Sequence, residues 1–82
     1  MKINVETGKR AAMDAIVEAL QQPPLNAIYC GKDKINPIAL VFEVQAQDTQ
    51  AVIHQAEKMI KARLGKSVAF RVVTHGSLLY YG

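Results

Sequence analysis

The spacing of apolar residues along this chain switches between two and about 3.6 residues, and each switch marks an element. Residues 2 to 5, KINV, alternate with Ile3 and Val5 on one face and predict a first strand, after which Thr7 is placed to cap a helix. From Lys9 to Gln22, Met13, Ile16, Val17 and Leu20 fall at i, i+3, i+4 and i+7 with Ala12 and Ala19 beside them, one buried stripe of a helix. Arg10, Asp14, Glu18 and Gln21 hold its wet side, with Arg10 and Asp14 spaced to pair weakly. Pro23 and Pro24 stop the helix, since neither offers an N–H to the ladder. Leu25 to Cys30 predicts the second strand, GKDKINP a turn region, and Ile38 to Gln47 the third strand. In that third strand Ile38, Leu40, Phe42 and Val44 share one face, while Ala39, Val41, Glu43 and Gln45 share a face that turns from apolar to polar.

Asp48, with Thr49 as the alternative, caps a second helix running to Leu64, in which Val52 or Ile53, Ala56, Met59 or Ile60, and Leu64 form the buried stripe. Glu57 and Lys61 are spaced for an i,i+4 pair, Lys58, Lys61 and Arg63 suit the negative end of the helix dipole, and Gly65 fits the position just past its end. Ser67 to Thr74 predicts a fourth strand, and a turn at His75, Gly76 and Ser77 leads into Leu78 to Tyr81, a fifth. The order β-α-β-β-α-β, with an extra C-terminal strand, resembles the ferredoxin-like split arrangement, an α+β sandwich in which both helices cover one face of an antiparallel sheet.

At 82 residues the chain is expected to be one domain spanning residues 1 to 82. Half of its residues are hydrophobic and 21% charged, a composition that folds. No run approaches the ~20 apolar residues that span a bilayer, and Glu6, Lys9, Arg10, Asp14 and Glu18 interrupt any signal-peptide core, so no membrane is expected. Cys30 is the only cysteine, which excludes an internal disulfide and suits a reducing cytoplasm; its place in a predicted strand marks it as a buried, inert thiol.

Ten Lys and Arg against seven Asp and Glu give a net charge of +3, which permits an anionic partner without requiring one. A nucleic-acid surface would draw on Lys32 and Lys34 in the turn region, on Lys58, Lys61, Arg63 and Lys66 about the end of the second helix, and on Arg71. Tyr29, Phe70, Tyr80 and Tyr81 are the candidates for base stacking, with Phe42 assigned to the core. The stretch KSVAFRVV lacks the Gly-aromatic-Gly order of an RNA-recognition strand, and Phe70 is better read as packing beneath a helix. GKDKIN lacks the spacing of a phosphate loop. His54, His75 and Cys30 are too far apart in sequence for a metal motif, and Glu6, Asp33, Glu43 and Asp48 form no close catalytic pair, reading instead as solvated or capping groups. No cofactor is called for.

The most specific feature is the end of the chain. Leu78, Leu79, Tyr80 and Tyr81 make both faces of the predicted fifth strand apolar, and an edge of that kind is satisfied by pairing with another strand. The expectation is a protein-interaction or regulatory module acting as a homo-oligomer, its contact made by these four residues and the uncovered sheet face. A nucleic-acid-binding module is the alternative, and an enzyme of small molecules ranks third because no acid, base or nucleophile set can be named.

Overall fold

A computed structural model describes residues 1–75. Strands β1 (Lys2–Glu6), β2 (Ile28–Lys32), β3 (Ala39–Glu43) and β4 (Arg71–Thr74) form one antiparallel sheet in the order β2-β3-β1-β4. Helix α1 (Met13–Gln21), entered through a 3-10 turn at Arg10–Ala12, links β1 to β2, and α2 (Thr49–Leu64) links β3 to β4. This is the ferredoxin-like β-α-β-β-α-β sandwich that the sequence pattern predicts. The predicted fifth strand, Leu78 to Tyr81, lies outside the described residues.

One face of the sheet and both helices make a single core. Ile3 and Val5 of β1, Leu40 and Phe42 of β3 and Val72 of β4 point to the same side, where Met13, Ile16 and Leu20 of α1 and Val52, Ala56 and Ile60 of α2 close over them. Both predicted helix stripes are therefore the buried ones. Asp48 caps α2, its carboxylate accepting the Ala51 N–H at 3.1 Å, and Gly65 ends it at φ 75°, a backbone angle that a β-carbon disfavours. Tyr29 packs on Phe42 with ring centroids 5.4 Å apart, and Phe70 is half-buried against the same core.

β1 runs one residue beyond its sequence pattern, whereas β3 and β4 are shorter than theirs, because β1 offers only five residues to pair with. Its register runs Lys2 to Glu43 through Glu6 to Ala39 on one side, and Ile3 to Thr74 through Glu6 to Arg71 on the other. Residues 67 to 70 thus lie past the end of the ladder, where the buried Thr7 hydroxyl donates to the Ala69 carbonyl at 3.0 Å. Thr7 also accepts the Lys9 N–H, so it braces the turn before α1 in place of capping the helix itself. The second strand starts three residues late. Leu25 and Ala27 are buried in a turn bonded back onto α1, with the Asn26 and Ala27 N–H groups donating to the Gln22 and Leu20 carbonyls, and the ladder begins only at Ile28. It then continues past the predicted break, because the register shifts between Tyr29 and Gly31 and Gly31, at φ 101°, takes up the bulge.

Two ion pairs cross between elements, Glu18 with Arg63 and Glu6 with Arg71, each at 2.8 Å, while the predicted local pairs Arg10–Asp14 and Glu57–Lys61 do not form. With both members well exposed, Glu18–Arg63 contributes about 0–1 kcal/mol, so burial and not charge holds the layers together. Denaturant unfolding at neutral pH should accordingly show Ile16→Val losing roughly 0.5–1.5 kcal/mol while Ile28→Val, at a position 58% exposed, changes stability by less than about 0.5 kcal/mol. Equal losses at the two positions would contradict the assignment of faces.

Candidate functional site

The strand alternation that sends Ile3 and Val5 into the core turns Lys2, Asn4 and Glu6 to the opposite face, which no described helix covers. Three residues on that face are nevertheless buried: Asn4, Ala39 and Val41. The cause is the connection between β2 and β3, which folds back over the sheet and is tied to β1 at two points. Asn4 Nδ2 donates to Asp33 Oδ2 at 3.2 Å, and Asn36 Nδ2 donates to Glu6 Oε2 at 3.0 Å.

Asp33 organises this connection. Its Oδ1 accepts the N–H of Ile35 at 2.8 Å and that of Asn36 at 3.3 Å, the turn geometry that a short carboxylate side chain imposes on the residues after it. The residue is buried, and the Ile35 hydrogen bond, with further help from Asn36, Asn4 and the nearby His75, holds its carboxyl below the ordinary range against the cost of desolvation. Asn4 then joins the loop to the end of β4. With Nδ2 donating to Asp33, Asn4 Oδ1 is left to accept, and His75 Nδ1 lies 2.7 Å from it and 3.8 Å from Asp33 Oδ2, so the proton of that contact sits on His75 Nδ1.

Beside this triad is a cavity of about 300 Å³. Lys2, Lys32, Lys34 and His75 give it cationic and polar walls, Cys30, Ile35 and Val41 an apolar one, and Asp33 its carboxylate. Cys30 is exposed here, which corrects the expectation of a buried thiol: it stands at the β2 bulge on the sheet's outer edge, where no second layer packs on it.

The structure divides the predicted basic residues. Lys32 and Lys34 line the cavity; Lys58, Lys61 and Arg63 are on α2, in the helical layer, and Lys66 follows that helix. Arg63 and Arg71 are engaged by Glu18 and Glu6. The three aromatic residues among those described, Tyr29, Phe42 and Phe70, belong to the core side, so no described aromatic ring is offered on the uncovered face. Leu78 to Tyr81 lie outside the described residues. His54 is exposed on α2, and among the described residues no group of three or more His, Cys, Asp or Glu is placed to hold a metal. No described helix is long and apolar enough to cross a membrane.

Sequence reasoning overlooked the meeting of Asn4, Asp33 and His75, which are remote from one another along the chain. Two signals were present: an uncharged amide side chain at the middle of a strand whose other outward residues, Lys2 and Glu6, are charged, and an Asp two and three residues ahead of the Ile35 and Asn36 amides it binds. Comparison of the chain with protein-family models, curated proteins and solved structures finds no match.

The lowered Asp33 value sets a pH dependence. A carboxyl whose folded value lies below its unfolded one adds stability above the unfolded value, about 3.9, and that contribution is lost as pH falls through the folded value. Asp33→Asn should therefore be less stable than the parent at pH 6, with the gap narrowing as pH falls below about 4. Parallel stability–pH curves for the two proteins would show that Asp33 carries no such role.

Proposed function

We propose that the domain is a protein-interaction module that acts as a homo-oligomer. The observation that carries this reading is the distribution of exposed large apolar side chains. Ile28, Ile35 and Ile38, 58%, 70% and 43% exposed, are the exposed large hydrophobics among the described residues, and all three fall on edge strand β2 or on its connection to β3. Large apolar side chains left exposed along an edge strand and the connection that follows it are available to a partner. The outer edge of β2 also has no strand beside it among the described residues, which leaves backbone N–H and C=O groups for a partner strand.

A second copy of the chain is the partner this reading favours. Leu78 to Tyr81 supply a second apolar segment whose contribution rests on the sequence pattern alone. A two-fold assembly would cover both segments without requiring a different protein. The exposed free thiol of Cys30 suits a reducing compartment, in keeping with a cytoplasmic setting. The nucleic-acid alternative has less support, because the basic residues are split between the sheet side and the helical layer and two of the arginines are already paired.

Light scattering coupled to size exclusion tests the proposal. The intact chain is expected to run as a dimer, and Ile28→Asp and a chain ending at Ser77 are each expected to shift toward monomer while keeping a folded circular-dichroism spectrum. A monomeric intact chain, or a dimer unaffected by either change, would refute it.

A further inference from the structure

We propose that the cavity on the uncovered face is a binding site for a small organic anion, a carboxylate or phosphate carried on a short apolar body. Charge gives the sign. Of the acidic and basic lining residues, Lys2, Lys32 and Lys34 are cationic and Asp33 alone is anionic. Asp33 keeps its negative charge in the wall, held by the Ile35, Asn36 and Asn4 donors and within 4 Å of no lysine, so three cations against one anion leave the lining net positive.

Lys32 and Lys34 have no carboxylate within 4 Å among the described residues, whereas Arg63 and Arg71 each hold one at 2.8 Å; Lys2 only feels the field of Glu43, whose carboxylate is taken by the Met1 amino group. Cations gathered round one concavity repel one another, and an anion seated between them relieves that repulsion.

Shape and preorganisation give the size and the body. A cavity of about 300 Å³ is at the small end of ligand pockets, enough for a metabolite-sized molecule. Val41 and Ile35 provide an apolar wall, and His75, with the proton on Nδ1 committed to Asn4, turns a polar ring toward the same space. The loop that forms one wall of the cavity is fastened by Asp33 and Asn36 to β1, so the site exists before a ligand arrives and little ordering opposes binding. The lining comes from one chain, and Ile35 belongs both to it and to the contact surface proposed above.

Amide-resolved NMR titration tests this with benzoate and phenyl phosphate as probes and benzyl alcohol as the neutral control. At least one anion is expected to give saturable shifts centred on residues 32 to 35, 41 and 75, tighter than benzyl alcohol and weakened by 0.5 M salt. The Lys32→Ala/Lys34→Ala variant, its fold verified by the dispersion of the same spectra, should bind that anion roughly five- to tenfold more weakly. Whichever probe binds tighter decides between carboxylate and phosphate. The proposal is overturned by shifts that do not saturate, by equal shifts around Lys58, Lys61 and Lys66, by equal affinity for benzyl alcohol, or by unchanged affinity in the double variant.

Discussion

Strands β3 and β4 are registered directly to the five residues of β1, and β2 is registered through β3. β1 is flanked by β3 on one side and β4 on the other, and its two-residue alternation decides which side chains enter the core and which face away from it. Ile3 and Val5 set the buried layer on which both helices close. Lys2, Asn4 and Glu6 set the other face, and a slip of one residue would exchange the two sets. Because the core in so small a domain is modest, burying Asn4 in the wrong layer would cost much of the fold's stability.

That same alternation gives the uncovered face its structure. Asn4 sits at the middle of the central pairing and reaches both the β2–β3 connection, through Asp33, and the end of β4, through His75. A hairpin connection that would otherwise be a solvated loop is thereby held against the sheet, with Ala39 and Val41 beneath it and a lysine-lined cavity beside it. The described buried polar side-chain atoms all have hydrogen-bond partners, as a preformed polar site requires. Edge strand β2 carries the exposed Ile28 and its connection to β3 carries the exposed Ile35 and Ile38, of which Ile35 also lines the cavity.

Much of this was legible in the sequence where the signal is local and periodic. The helix stripes at Met13, Ile16 and Leu20 and at Val52, Ala56 and Ile60, the Asp48 cap and the Gly65 stop are set by neighbours within a few turns. The topology followed from the order of elements and the length of the crossovers. Strand limits were not legible, because they depend on the length of a partner strand: residues 67 to 70 have the pattern of a strand and lack only a β1 residue to pair with. Cys30 was misread for the same reason, since its exposure comes from an edge and a bulge and not from its own neighbours. The ion pairs followed suit, with Glu18 and Glu6 meeting arginines 45 and 65 residues away in preference to nearer partners. Asn4, Asp33 and His75 are each ordinary in sequence and become a unit only when β1 brings them together.

The central claim is that Asn4 and Asp33 fasten the β2–β3 connection to the sheet and so build the uncovered face. Amide hydrogen exchange at Ile35 and Asn36 tests it most directly, because both N–H groups donate to Asp33 and neither belongs to a strand ladder. In the intact chain these amides are expected to exchange at least about tenfold more slowly than a solvated loop, and Asn4→Ala should remove most of that protection while leaving the β1–β3 amides protected. Unprotected amides in the intact chain, or protection that survives Asn4→Ala unchanged, would contradict the account.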